Sequence, residues 1–160
     1  MTTVEKQNGS YIRKANAEDI EAITEIENKC FPGPTAYPKR HLAYLVLKAK
    51  TTALVEAENG ELNGFIIVKY RVGSRIGNVE TIDVNPKVHN RGVGKRLLAA
   101  AEEDMKQHGM QISQLETSED NQPALILYRK AGYVFKKKLP NFYQYEHNGT
   151  RNAVQLVKDL

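Results

Sequence analysis

A glycine-bearing turn that leads directly into a long helical pattern is the most constraining feature of this sequence. The segment reads Val84-Asn-Pro-Lys-Val-His-Asn-Arg-Gly-Val-Gly-Lys-Arg-Leu-Leu98, and residues 76–84 before the turn are typical of a strand. Free N–H groups and the positive dipole at such a helix start favour an anion, and Gly92 and Gly94 let the backbone approach it closely. The pattern predicts a strand, an anion-binding turn and a helix over about residues 91–108.

The order of charges along this helix supports an anion site. Acidic residues normally lie in the first turn of a helix and basic residues in the last, but Arg91, Lys95 and Arg96 lie at the start. Each misplaced charge costs roughly 0.3–1 kcal/mol unless something compensates it. A bound phosphate group would do so, and the simpler alternative is a solvated basic helix end with glycines needed only for the turn.

Two common nucleotide-binding motifs do not fit this turn. A P-loop requires G-x-x-x-x-G-K-[ST], but Arg96 follows Lys95, and His89 stands where the first glycine belongs. A dinucleotide-binding turn requires G-x-G-x-x-G, but Leu97 takes the place of the third glycine. Another class of phosphate-bearing ligand is therefore needed.

The remaining pattern predicts a single mixed α/β domain. The chain has 160 residues, 41% of them hydrophobic and 26% charged, which is typical of one soluble globular domain. We expect a flexible tail over 1–9 and the domain over 10–160. Strand and helix signals follow the order β-α-α-β-β-β-α-β-α-β-β. The two closing strands are expected at 133–137 and 142–146, and a last strand follows at 153–157.

Charge and cysteine content exclude several classes of protein. The net charge of +4 mildly favours an anionic partner but does not indicate a specific nucleic-acid partner. The single Cys30 cannot form an internal disulfide, and no Cys/His cluster has the spacing of metal ligands. The N-terminus MTTVEKQNGS has no apolar core of a signal peptide, and no apolar run approaches the ~20 residues of a membrane span. We therefore expect a cytoplasmic protein with no membrane partner and no metal.

The turn and the second half of the chain resemble a known family. His89-Asn-Arg-Gly-Val-Gly94 is similar to the [QR]-x-x-G-x-[GA] signature of the GNAT superfamily of N-acetyltransferases, with His89 in place of Gln or Arg. The pattern N-x-x-A-x-x-L-Y-x-x-x-G-[FY] from Asn121 to Tyr133 resembles the ribosomal-protein alanine N-acetyltransferases and related N-terminal acetyltransferases. The resemblance covers essentially the whole chain. It implies the GNAT fold, a mostly antiparallel sheet of about seven strands and about four helices, splayed between the fourth and fifth strands.

This resemblance implies that acetyl-CoA is the co-substrate. Backbone amides from Arg91 to Lys95 would hold the pyrophosphate, Ile82 and Val84 would bond the pantetheine arm, and Asn121 would contact the arm while capping its own helix. The expected cofactor-binding residues are Ile82, Asp83, Val84, His89, Asn90, Arg91, Gly92, Val93, Gly94, Lys95, Asn121 and Tyr128.

The resemblance also assigns proton-transfer roles. Acetyl transfer from a thioester to an amine needs a neutral amine and a proton for the departing thiolate. The resemblance implies Glu116 as the base and Tyr128 as the acid. Glu80 is the second candidate base, because it shares a strand face with Ile82 and Val84. The simpler alternatives are a solvated strand-end carboxylate for Glu116 and a core aromatic for Tyr128.

The family determines its acyl acceptor with two loops, here 31–37 and 139–145. We expect Phe31, Pro32, Tyr37 and Tyr143 to bind the acceptor, although strand packing would also explain the aromatic residues. A free α-amine has a pKa of about 7.7–8.0 and lysine one of about 10.4, so an α-amine needs less help from a base.

We therefore expect a protein or peptide N-terminus as the acceptor, with a lysine side chain, a polyamine or another small amine as alternatives. A monomer and a homodimer are both compatible with the sequence. A non-catalytic acetyl-CoA-binding module and a basic RNA-binding domain are the alternatives of other classes. The first would need neither Glu116 nor Tyr128, and the second would not need the glycine-bearing turn.

Overall fold

One seven-stranded sheet forms the centre of the molecule. The structure is a computed structural model that describes residues 9–160. The strands are β1 (Ser10–Lys14), β2 (Thr51–Glu58), β3 (Glu61–Lys69), β4 (Ile76–Val84), β5 (Ile112–Ser118), β6 (Val134–Leu139) and β7 (Ala153–Asp159). They lie in the order β1-β2-β3-β4-β5-β7-β6, and every neighbouring pair except β4–β5 is antiparallel. The tail predicted over 1–9 lies outside the described residues except for Gly9, so its flexibility stays a prediction.

Four helices cover the sheet on its two faces. They are α1 (Ile20–Cys30), α2 (Lys39–Leu47), α3 (Val93–Gln107) and α4 (Gln122–Lys130). On one face Ile23 of α1 and Leu42 of α2 pack on Phe65 of β3. On the other face Leu97 of α3 packs in a second cluster that includes Tyr128 of α4. The mixed α/β architecture predicted from the sequence is therefore confirmed.

The two central strands separate halfway along their length. β4 and β5 pair in parallel over Ile76–Val79 and Ile112–Leu115. Beyond these residues they continue to Val84 and Ser118 without pairing with each other. The splay expected between the fourth and fifth strands is present, and it leaves the edge of β4 that faces β5 open.

A bulge lies at the point where the strands separate. The register of β3 on β4 pairs Val68 with Val79 and Ile67 with Thr81, which leaves Glu80 as an extra residue. Bulges of this kind redirect a side chain and often lie beside active sites. The bulge therefore places Glu80 at the point where β4 and β5 begin to separate.

Two boundary predictions need correction. The helix expected from Arg91 begins at Val93, because Gly92 has a φ of 78° and cannot continue a right-handed helix. The strand expected at 142–146 is wrong, since this segment is a loop between β6 and β7. Among the described residues, none of the helices has the length and apolar content needed to cross a bilayer.

Candidate active site at the splay

The start of α3 presents free backbone donors. The N–H of Arg96 donates to the carbonyl of Gly92 at 3.0 Å, so the N–H groups of Val93, Gly94 and Lys95 precede the first helical bond. No acidic residue lies in the first turn. Asn90 has a φ of 63° and, with Gly92, turns the chain tightly into the helix. This geometry is that of an anion site.

The three basic residues at this helix start have different roles. Arg96 forms a bidentate pair with Glu56, with Nε–Oε1 at 2.6 Å and Nη2–Oε2 at 3.1 Å. The carboxylate of Glu56 is buried, and this pair raises the pKa of Arg96. Arg91 and Lys95 form no ion pair with any residue in the described part of the chain. Arg91 and Lys95 are therefore the basic residues whose position at the helix start favours a bound anion. The charge of Arg96 is already compensated by Glu56.

A cavity of about 470 Å³ lies where β4 and β5 separate. It brings together most of the residues predicted for the chemistry and for the acceptor. These are Phe31, Tyr37, Glu80, Ile82, Glu116, Asn121, Tyr128 and Tyr143. Among the other predicted residues, Pro32, Asp83, Val84 and 89–95 do not line this cavity.

Tyr128 lies on α4 with its ring in the apolar core and only 5% of its surface exposed. Its ring makes an edge contact with Tyr133 at 6.0 Å between centroids. Burial, with a smaller contribution from the charge of Asp83, raises the pKa of Tyr128. The phenol is therefore protonated at neutral pH and can donate that proton inside the cavity. The core role and the acid role proposed for this residue are compatible.

The two candidate bases have different hydrogen-bond partners. Gln155 of β7 donates from Nε2 to Oε2 of Glu116 at 3.1 Å. The hydroxyl of Tyr37 donates to Oε1 of Glu80 at 3.2 Å. Burial and the neighbouring charge of Glu116 raise the pKa of Tyr143 to about 12. Both carboxylates lie at the cavity, so the geometry supports either as the base.

A buried pair of carboxyl groups lies beside the cavity, which Glu27 lines and Asp83 does not. Asp83 of β4 and Glu27 of α1 are each 2% exposed. Burial and contact with Glu27 raise the pKa of Asp83 well above its usual value. Asp83 Oδ2 and Glu27 Oε1 have no other partner among the described residues, and a proton shared by the two groups satisfies both. Any contact of Asp83 with a cofactor therefore has to come from its backbone.

Glu27 also anchors the loop between α1 and α2. Its Oε2 accepts a hydrogen bond from the backbone N–H of Tyr37 at 2.9 Å, and the side chain of Tyr37 reaches Glu80. The sequence analysis missed Glu27, although an acid beside Ile23 and Ile26 on the apolar face of α1 is a usable signal. Pro32 supports the same loop, because its carbonyl accepts from the hydroxyl of Thr35 at 2.7 Å.

His147 joins the two acceptor loops and was also missed. Its ring stacks on Tyr143 at 3.8 Å between centroids and makes an edge contact with Phe31 at 6.0 Å. Phe31 is far from His147 in the sequence, and no local pattern indicates their contact. Asn121 is placed as expected, since its Oδ1 accepts from the N–H of Ala124 at 3.3 Å while the residue lines the cavity.

Together these features give a helix start with free backbone donors and a cavity lined by two carboxylates and a buried tyrosine. Comparison with known proteins gives the family. Residues 20–133 match the acetyltransferase (GNAT) family, and this chain belongs to that family of N-acetyltransferases. It is 27% identical over 143 residues to the N-alpha-acetyltransferase of Sulfurisphaera tokodaii, which covers 82% of this chain and 84% of that protein. The chain spans about half the length of two further curated relatives that it matches.

Solved structures share the fold. The ribosomal-protein-S18-alanine N-acetyltransferase from Escherichia coli superposes with a TM-score of 0.82 at 19% identity, over 94% of this chain and 93% of that chain. The putative acetyltransferase yncA from Salmonella typhimurium, whose structure includes its cofactor acetyl-CoA, superposes with a TM-score of 0.79 at 20% identity, over 96% and 95% of the two chains. The GNAT fold expected from the sequence is therefore confirmed.

Proposed function

We propose that this protein transfers an acetyl group from acetyl-CoA to a primary amine, preferably the α-amine of a protein or peptide. The cavity at the splay carries this proposal, because Glu80, Glu116 and Tyr128 all line it. The chain's likeness to a protein named N-alpha-acetyltransferase supports the choice of an α-amine. A lysine side chain, a polyamine or another small amine is the alternative acceptor.

The residues present fit acetyl-CoA. The free N–H groups of Val93, Gly94 and Lys95, with the side chains of Arg91 and Lys95, suit a diphosphate. The edge of β4 beyond Val79 has no partner in β5, so its backbone groups are available to the pantetheine arm. When bound, acetyl-CoA supplies an activated acetyl thioester.

A carboxylate at the cavity removes a proton from the acceptor. An α-amine with a pKa of about 7.7–8.0 is mostly protonated at neutral pH, and it must lose that proton before it can attack. Glu116, held by Gln155, is our first candidate for this role, and Glu80 is the second. Either lies within a cavity that also holds the proposed acid.

Tyr128 supplies the proton for the departing sulfur. The neutral amine forms the new C–N bond as the C–S bond breaks. The carboxylate, having released the first proton to solvent, takes the second proton that the nitrogen loses, and the phenol proton passes to the thiolate. A tyrosine hydroxyl has an ordinary pKa of about 10, so the phenol of Tyr128 carries its proton at the start of the reaction. A proton from solvent restores the phenol afterwards.

The two aromatic loops flank the place of the acceptor's reactive amine. Phe31 and Tyr37 come from the loop after α1, and Tyr143 comes from the loop after β6. His147 stacks on Tyr143 in its own loop and makes an edge contact with Phe31 in the other. It therefore holds the two loops together, which suits a narrow groove for a chain end. Pro32 is part of the same loop and supports it from outside the cavity.

Incubation with acetyl-CoA and a peptide library, read by mass spectrometry, tests this proposal. Each peptide is made with a free or a blocked N-terminus, and with or without an internal lysine. We expect acetylation of the free N-termini and no reaction of lysine in the blocked peptides. Acetylation that depends on lysine, or that occurs only with small amines, would contradict the α-amine assignment.

A further inference from the structure

A second cavity, of about 410 Å³, adjoins the candidate active site. Asn78, Glu80, Glu116 and Phe142 line both cavities. The second cavity therefore begins at the two carboxylates where the proposed function places the reactive amine. The family likeness leaves its remaining lining residues without a role.

The other end of this groove is basic. Lys69, the last residue of β3, and Arg71, in the turn before β4, line it and are exposed. Neither forms an ion pair with a carboxylate within residues 9–160. Both cations are therefore available to an anion of a ligand.

The sheet sets the distance between the two ends. Lys69 lies opposite Asn78 in the register of β3 on β4, and Glu80 follows two residues later. Two residues of a strand span about 7 Å, and Arg71 lies two residues beyond Lys69 in the turn. The backbone positions of the two basic residues are therefore about 7–14 Å along the sheet from the backbone of Glu80.

Uncharged polar side chains line the groove between its ends. Gln114 donates from Nε2 to Oδ1 of Asn78 at 3.3 Å, and Gln155 donates to Glu116. These amides can hydrogen-bond a peptide backbone without adding charge. The groove thus has an acidic end for an ammonium, a neutral middle and a basic end for an anion.

We propose that this groove binds the acyl acceptor and selects one with a carboxylate about 7–14 Å from its reactive amine. An extended peptide advances about 3.3–3.6 Å per residue, so the groove fits an acidic side chain at the third to fifth position. This inference rests on the proposed function, because it takes Glu80 and Glu116 as the amine end. It identifies Lys69 and Arg71 as residues that determine acceptor specificity.

Binding measurements on the full chain test the inference without requiring turnover. Isothermal titration in the presence of coenzyme A compares two amidated peptides that differ only by Glu or Gln at positions 3 and 4. We expect the Glu peptide to bind about three- to tenfold more tightly, because exposed charge pairs contribute modestly. The preference should weaken as salt is added.

Paired variants separate the groove from the overall charge. Lys69→Gln combined with Arg71→Gln should remove the preference and leave the affinity for the Gln peptide unchanged. Lys106→Gln combined with Lys130→Gln removes the same charge from exposed positions on α3 and α4 and should keep the preference. A wild-type protein without the preference, or a groove variant that retains it, would overturn the inference.

Two further arms complete the design. A tripeptide with a free or an amidated C-terminus shows whether the carboxylate comes from a side chain or a chain end, and preference for either acid supports the groove.

Acetyl transfer to the same peptides is measured separately. Transfer without a binding preference contradicts only the groove, whereas a preference that the groove variant abolishes, without any transfer, contradicts only the proposed reaction.

Discussion

At the scale of single residues, the two carboxylates at the splay can be separated by substitution. The amide of Gln155 holds Glu116, and the phenol of Tyr37 holds Glu80. We expect Glu116→Gln to lower kcat/KM by about 10²-fold, while Glu80→Gln keeps most of the wild-type kcat/KM. Glu103→Gln, on the exposed face of α3, is the control. Full activity in both cavity variants would show that neither carboxylate is the base.

The hydroxyl of Tyr128 should matter for turnover and not for binding. Tyr128→Phe keeps the ring that packs on Tyr133, so the fold and the affinity for coenzyme A should be retained. Loss of the proton donor should lower kcat by about 10²-fold. Steady-state kinetics and titration with coenzyme A give the two readouts, and Tyr44→Phe, with an exposed ring, is the control. Unchanged kcat would remove Tyr128 as the acid.

The proton on Asp83 should make the stability of the fold depend on pH. Because the pKa of Asp83 is raised in the folded state, folding favours its protonated form. The contribution of this proton to the free energy of unfolding is fully present below the unfolded-state pKa of about 3.9. It is lost as the pH rises through the folded-state pKa. Asp83→Asn cannot ionise, so its Tm should decline less than that of the wild type as the pH is raised from about 4.

Thermal unfolding across pH checks this prediction. Asp120→Asn changes an exposed carboxylate and should follow the wild-type curve. If Asp83→Asn shows the same slope as the wild type, the pair with Glu27 does not share a proton in the folded protein.

At the scale of the elements, the start of α3 combines a binding function with a structural one. Arg91 and Lys95 are unpaired there, whereas Arg96 joins α3 to Glu56 of β2. We expect Arg91→Gln with Lys95→Gln to weaken coenzyme A binding about tenfold, an effect of two charge-assisted contacts that decreases with salt. The CoA-induced rise in Tm should shrink accordingly.

Arg96→Gln is the matched comparison at the same helix end. It leaves the buried carboxylate of Glu56 without a cation, with the amide of Asn63 as its remaining partner, and should destabilise the fold by about 1–3 kcal/mol, with little change in affinity for coenzyme A. Denaturant unfolding and titration with coenzyme A separate the two effects. A binding defect in Arg96→Gln equal to that of the double variant would contradict this division of roles.

The elements that the sequence predicts well are those set by local chemistry. β4 has its predicted bounds, 76–84. The hairpin at Asn59-Gly60 has the positive φ values, 51° and 79°, that its two-residue turn requires. Asn121 caps α4 as expected. In each case the information lies within a few neighbouring residues, so periodicity and turn chemistry are sufficient.

The parts that could not be predicted depend on distant partners. Residues 142–146 alternate like a strand, but they pair with no strand of the described sheet, and Tyr143 instead exchanges hydrogen bonds with Arg151 in the loop. The pairing of Glu27 with Asp83 and the stacking of His147 likewise join separate elements. The motif therefore located the candidate site, while the groups that support it required the tertiary structure.

At the scale of the whole molecule, the sheet brings two cavities together at one pair of carboxylates. The first cavity reaches from Glu80 and Glu116 to Asn121 and Tyr128, and the second extends from the same carboxylates toward Lys69. An acetyl donor at the first cavity and an acceptor in the second can therefore be bound at the same time. This arrangement favours direct transfer within a ternary complex over transfer through an acetylated enzyme.

The chain's single cysteine is poorly placed to carry an acetyl group. Cys30 donates its S–H to the carbonyl of Val84 at 3.3 Å, and burial, with the charges of Asp83 and Glu27, raises the pKa of its thiol to about 12. A thiol with so high a pKa is almost never the reactive thiolate at neutral pH. Cys30 does not line the cavity at the splay either.

We therefore expect sequential kinetics. Initial rates with both substrates varied should give intersecting double-reciprocal lines, since the two ligands occupy the site together, and Cys30→Ala should retain the wild-type kcat. Intact mass after incubation with acetyl-CoA alone should stay unchanged. Parallel lines, with an adduct of one acetyl group that disappears when the amine is added, would establish a covalent route and exclude the ternary complex.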